Sequence, residues 1–152
     1  MASLILLPIG ALLIPLGSFI TRRTGFFSGF ALFLLAGSFV LNFYTPFGSW
    51  FNSTLFVFDP LGRFFNGLFI FSAFLTGLFF LDRYPHRRLF FYCMLLAGTA
   101  AMMIIASSRN LIGMFAGLEL LSLCFYELCA LKKDAPGLES AAKLFFMSIF
   151  AS

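Results

Sequence analysis

The chain is short of charge. Only 11% of its 152 residues are Asp, Glu, Lys or Arg, and six of those are acids, whereas a soluble domain carries about 25% charged residues. Histidine occurs once, at His86 in a charged loop with no metal-spaced companion, and tryptophan once, at Trp50. The three cysteines, Cys93, Cys124 and Cys129, fall in apolar runs and form no CxxC pair. They are expected to be small buried hydrophobes, not ligands or disulfides. No glycine-rich phosphate loop, no nucleophile with its base and no histidine pair for haem occurs, and Ser107 and Ser108 read as helix-end polar residues without catalytic company. These absences leave the movement of a proton or cation, not the breaking of a bond, and imply neither a metal nor a cofactor bound by the chain itself.

What is abundant is apolar surface: 61% of residues are hydrophobic, 25 are phenylalanine and the mean hydropathy is +1.02. Phenylalanine rings need no hydrogen-bond partner and suit lipid-facing helices, so the expected solvent is a bilayer. The net charge of +4 does not point to nucleic acid, because the cations form short clusters between apolar runs and no basic stripe. Residues Met1 to Leu16 lack a basic leading segment and their run ends at two arginines. That pattern predicts a retained helix, not a cleaved signal.

A membrane span needs about 20 apolar residues. Five such runs occur, Leu4 to Ile20, Phe26 to Phe43, Phe64 to Leu81, Leu89 to Ala106 and Leu111 to Leu131, and a sixth begins at Leu138. The expected fold is therefore all-α, a polytopic transmembrane helix bundle with five full spans and a truncated sixth. Pro8 and Pro15 would kink the first run, which membrane helices tolerate. Alternate loops carry Arg22 and Arg23, then Arg83, Arg87 and Arg88, then Lys132 and Lys133, while the others hold only Arg63 and Arg109. By the positive-inside rule that bias predicts an N-terminus outside. The "NST" at residues 52–54 reads as a chance glycosylation pattern. The sixth run holds 15 residues, about 22 Å of helix against a hydrocarbon core of about 30 Å, so the expectation is a fragment of a longer protein.

Two of the six acids interrupt "FAGLELLSLCFYEL", residues 115–128. Glu119 lies near the middle of the fifth run, where an ionisable side chain is costly and marks a candidate ion path. At about 100° per residue from Glu119, Ser122 falls at about −60° and Tyr126 at about −20°, whereas Gly113 and Gly117 fall at about 120° and 160°. A polar stripe thus opposes the small-residue stripe of "GMFAG", a GxxxG pattern that admits close helix approach. The structural alternative for Glu119 is a neutral, hydrogen-bonded acid that fixes helix packing. Glu127 lies about 6 Å from the inner end of the run, at headgroup level. Lys143 offers two readings: a pair with Glu127 at similar depth, or an i,i+4 pair with Glu139.

The segment "SSRNLIGMFAGLELLSLCFYELCALKKDAPGLESAAKLFFMSIFAS" resembles the antiporter-like membrane subunits of proton-pumping NADH:quinone oxidoreductase, complex I, and most closely the N subunits. The features that carry the resemblance are "RNL" at the helix start, "GLELLSL" with Glu119 and Ser122, a basic turn, and "ESAAKLFF…FAS" opening the next helix. "FDPLGRFF", with Asp59, is a further and weaker match to the third helix. The tryptophan and methionine that flank the glutamate in the related L and M subunits are absent, and Glu127 stands where an apolar or small residue is commoner.

The resemblance implies a fold of inverted repeats with broken helices, in which residues 1–106 are variable transmembrane helices 1 to 4 and residues 107–152 open the antiporter-like proton-translocation domain. It implies a Glu/Lys relay with Glu119 as its glutamate and Lys143 at the family's sixth-helix lysine, with Ser122, Tyr126 and Glu127 as lesser candidates. The seventh-helix lysine that completes the pair is not in this sequence, so no catalytic activity is expected of this chain alone. NADH, flavin, iron–sulfur clusters and quinone are implied only in the parent complex. The implied partners are other membrane-arm subunits, in a bacterial plasma (inner) membrane. A cation/proton antiporter or membrane-bound hydrogenase subunit shares the same glutamate motif, and a purely structural membrane subunit is the alternative of another class.

Overall fold

The computed structural model describes residues 7–11, 24–44, 59–81 and 87–151. Trp50, His86, Arg22, Arg23, Arg83, Pro15 and the "NST" triplet lie outside the described residues. Every regular element among them is helical: α1 at residues 7–11, α2 at Thr24–Tyr44, α3 at Pro60–Phe79, α4 at Arg88–Ser107, α5 at Leu111–Cys129 and α6 at Ala135–Ala151, with a 3₁₀ turn at Ala130–Lys132 between the last two.

Three of these helices, α3, α4 and α5, are long and apolar enough to cross a membrane. The expectation of five full spans is corrected to that number among the described residues. α2 is 21 residues long, and within it Ser28–Tyr44 is a shorter apolar stretch; the first run enters only as residues 7–11.

Two helix starts also move. α3 begins at Pro60 and α6 at Ala135, ahead of the expected Phe64 and Leu138, because proline is tolerated in a first helical turn, where N–H groups have no intrahelical partner. Lys133 adopts a left-handed φ of 53° and closes the 3₁₀ turn. Asp134 then caps α6, its carboxylate accepting the Gly137 N–H at 3.1 Å, which satisfies one of the orphan donors of the first turn. A Cβ at Gly137 would stand 2.5 Å from that same carboxylate oxygen, so a larger residue there would displace the Asp134 side chain from this cap.

The core lies among the first four helices. Leu7 and Ala11 of α1, Ala31 and Leu35 of α2, Ile70 and Ala73 of α3, and Tyr92, Leu96, Ala100 and Met103 of α4 form one buried cluster. α4 packs against α2, α3 and α5, while α6 packs on α5 and the 3₁₀ turn. Polar pins cross this core. The Tyr92 hydroxyl donates to the Gly77 carbonyl at 2.8 Å, and the Cys93 thiol to the Ala11 carbonyl at 3.1 Å.

Two arginines tie helix ends. Arg63 is not a loop residue but lies in the first turn of α3, from which its guanidinium donates to the carbonyls of Asn42, at 2.6 Å, and Phe43 at the end of α2. Asn42 returns a bond from its amide to the Arg63 carbonyl at 3.1 Å. Arg87, immediately before α4, donates to the Leu131 carbonyl beyond α5. Carbonyls in a last helical turn lack helical partners and carry the negative end of the helix dipole, so a cation there both bonds and neutralises.

Candidate functional site

The position of α5 is set by its small-residue face. A Cβ on Gly117 would stand 2.7 Å from Ile105 Cγ1 and 3.3 Å from the Ala101 carbonyl, so only glycine lets α4 come this close. Gly98 of α4 faces Cys124 and Leu121 in turn. Gly117, Leu121 and Cys124 thus form the i, i+4, i+7 seam against α4. Cys124 is buried in it, whereas Cys93 is half-buried and Cys129 exposed. The expectation of three buried cysteines therefore holds for Cys124 and fails at Cys129, which follows Glu127 near the end of α5, off the seam.

Glu119 sits about 160° around the helix from Gly117, on the side turned away from α4. It is eight residues, about 12 Å, from the first residue of α5, near mid-helix. Its side chain is half-buried and has no ion pair or hydrogen bond among the described residues. Ser122 and Tyr126 share that side. The Ser122 hydroxyl donates to the Leu118 carbonyl at 2.8 Å, leaving its oxygen to accept, and the Tyr126 ring meets Phe145 of α6 edge-on at 5.7 Å. α5 is helical from Leu111 to Cys129, so Glu119, Ser122 and Tyr126 lie along one face of it, which α6 meets at Tyr126.

The structure does not bring Lys143 or Glu127 to it. Of the two readings of Lys143, the i,i+4 one is found: its ammonium lies 2.6 Å from Glu139, with the two side chains 70% and 65% exposed. Phe145 takes the position on α6 that faces Tyr126, and Lys143, two residues earlier, projects about 200° away. In the antiparallel register set by Tyr126 and Phe145, Lys143 stands level with Leu128, about 13 Å along the helix from Glu119. Glu127 is exposed and has no partner among the described residues.

Sequence reasoning missed a second polar contact inside the helix bundle. The Asn66 amide of α3 donates to the Ser107 hydroxyl of α4 at 3.2 Å, both residues being buried, and its amide oxygen has no partner. The available signal was an asparagine within an apolar run. Among the described residues no group of three or more His, Cys, Asp or Glu side chains comes close enough to hold a metal ion.

No family model matches the chain, but individual relatives do. The chain is 33% identical over 150 residues to the NADH-quinone oxidoreductase subunit N of Azoarcus sp. strain BH72, covering 93% of this chain and 30% of that protein. It is 37% identical over 127 residues to the subunit N of Gluconacetobacter diazotrophicus, covering 78% of this chain and 26% of that protein. With the subunit N of Geobacillus kaustophilus it shares 50% identity over 58 residues, 38% of this chain and 12% of that protein. The chain spans less than a third of the length of the relatives it matches.

Proposed function

We propose that this chain, a relative of the subunit N proteins of NADH-quinone oxidoreductase, is part of the membrane arm of that complex and contributes Glu119 to proton translocation coupled to quinone reduction. The observation that carries the reading is a carboxylate at mid-helix, on the face of α5 turned away from α4, without a partner among the described residues. An intramembrane ionisable group without a local role in packing marks an ion path.

The chemistry needs only a cation that comes and goes. A carboxyl group removed from water holds its proton, and an approaching ammonium favours the ionised form. Each pKa unit of such a change corresponds to about 1.36 kcal/mol, so movement of a lysine converts conformational energy into proton release. Lys143 pairs with Glu139 along α6. By the resemblance to the subunit N proteins, the relay lysine of Glu119 would lie on a further helix of the whole protein, in contact with the face that carries Glu119. Ser122 and Tyr126 orient water or the carboxylate within the stripe; Glu127 and Lys143 serve the membrane boundary. The proposed setting is a bacterial plasma membrane, with the Arg87 and Lys133 end of the bundle in the cytoplasm by the bias of basic residues.

The structural alternative, in which Glu119 pins helices, would place that pin outside the α4 contact. α5 is fixed on α4 through Gly117, Gly98 and Cys124, with no bond from the glutamate. The test is Glu119→Gln in the full-length protein within the assembled complex. Loss of proton translocation with assembly retained supports the reading; undiminished translocation refutes it. Loss of assembly in Glu119→Ala, with Glu119→Gln unaffected in every respect, would favour the structural alternative.

A further inference from the structure

At the other end of α5 from Glu127, the start of α3 and the end of α4 border an open recess of about 560 Å³, lined by Asp59, Leu61, Gly62 and residues 106–109. It contains one carboxylate, Asp59, and one guanidinium, Arg109, which form no ion pair with each other. Asp59 stands at the cap position of α3 but makes no side-chain cap bond, so its carboxylate remains available to a ligand.

The donors and acceptors of the recess sort into two groups. The Ser108 hydroxyl spends its proton on the Ile104 carbonyl at 2.7 Å, so its oxygen can only accept. The Ala106 carbonyl belongs to the last turn of α4, where helical N–H partners run out and the dipole is negative. It approaches α3 closely at Gly62, where a Cβ would stand 3.3 Å from it. With Asp59 these form an acceptor group suited to an ammonium. The fork of Arg109 supplies the donor group, suited to a phosphate.

We propose that this recess binds the headgroup of a zwitterionic aminophospholipid, its ammonium on Asp59 and its phosphate on Arg109. A choline headgroup has no N–H to donate, and a glycerol headgroup has no cation for Asp59. A second observation concerns the chains of the lipid. Leu61, Phe65 and Leu68, exposed to 69%, 40% and 48%, follow at i, i+4 and i+7 from the recess along one stripe of α3, where an acyl chain would lie.

The experiment is native mass spectrometry of the full-length protein released from nanodiscs with equal phosphatidylethanolamine, phosphatidylcholine and phosphatidylglycerol. Phosphatidylethanolamine is expected to be retained about tenfold over the other two, the scale of one charge-assisted hydrogen bond. Asp59→Asn is expected to abolish its advantage over phosphatidylcholine, Arg109→Gln to lower retention of all three, and Asp134→Asn, a carboxylate at the opposite end, to change nothing. The competition on the unaltered protein needs no variant to fold. Equal retention of the three lipids, a preference for phosphatidylglycerol, or an unchanged preference in folded Asp59→Asn would each overturn the assignment.

Discussion

The helices α2, α3 and α4 and the helices α5 and α6 are built from similar residues and packed to different ends. Within α4, 44% of the membrane-crossing window is buried, and within α5 only 11%. The buried apolar cluster draws on α1 to α4 and on Leu131, and takes no buried member from α5 or α6. Composition does not separate the two regions, because phenylalanine and leucine dominate both. What separates them is the distribution of small and polar residues. α4 carries Gly98, Ala100 and Ala101 at buried positions, and polar pins tie it to α3, Tyr92 through the Gly77 carbonyl and Ser107 through the Asn66 amide. α5 spends its one glycine seam on α4 and turns its glutamate the other way. One region carries the buried core; the other displays a charge.

That contrast can be broken at graded points. Leu96→Ala, in the fully buried centre of the scaffold, is expected to destabilise the protein by about 2–5 kcal/mol, the range for large-to-small core changes, read by unfolding in mixed micelles. A value under about 0.5 kcal/mol, usual for surface sites, would deny that α4 is the core helix. Gly117→Leu is expected to cost about 1–3 kcal/mol by overpacking and to separate α5 from α4. Cysteine crosslinking between the two helices reads this directly, and undiminished crosslinking would place the α4 contact elsewhere. Arg87→Gln, which removes the cationic tie to the Leu131 carbonyl, is expected to cost about 1 kcal/mol and to raise amide exchange locally at residues 130–133. Lys143→Met is expected to cost less than about 1 kcal/mol, because its ion pair with Glu139 is exposed and such pairs contribute little. A larger loss, or loss of proton translocation with folding intact, would return Lys143 to the relay.

The sequence made the acid at residue 119 legible because charge within an apolar run is visible without a partner. It made the GxxxG face of α5 legible too, but not which helix occupies it. The ties that assemble the scaffold were not legible. Asn66 meets Ser107 across 41 residues, Arg63 meets Asn42 across 21, and Arg87 meets Leu131 across 44. Each depends on where packing brings two distant helix ends, which periodicity within one helix does not encode. Arg63 and Arg87 were read as topology signals because a cation near a helix end serves that role and a capping role with the same residue type. The early starts of α3 and α6 were missed for a different reason. Apolarity marks the part of a helix in lipid, whereas proline tolerance at Pro60 and Pro136 and the cap at Asp134 mark where the helical backbone begins.

The central claim is that Glu119 takes up and releases a proton during turnover. Isotope-edited infrared difference spectroscopy on the full-length protein in its assembled complex, with and without quinone reduction, reads the carboxylic C=O stretch of protonated glutamate. The expected result is a glutamate band that rises or falls with turnover and is absent in Glu119→Gln. A turnover spectrum identical in the unaltered protein and in Glu119→Gln would contradict the claim.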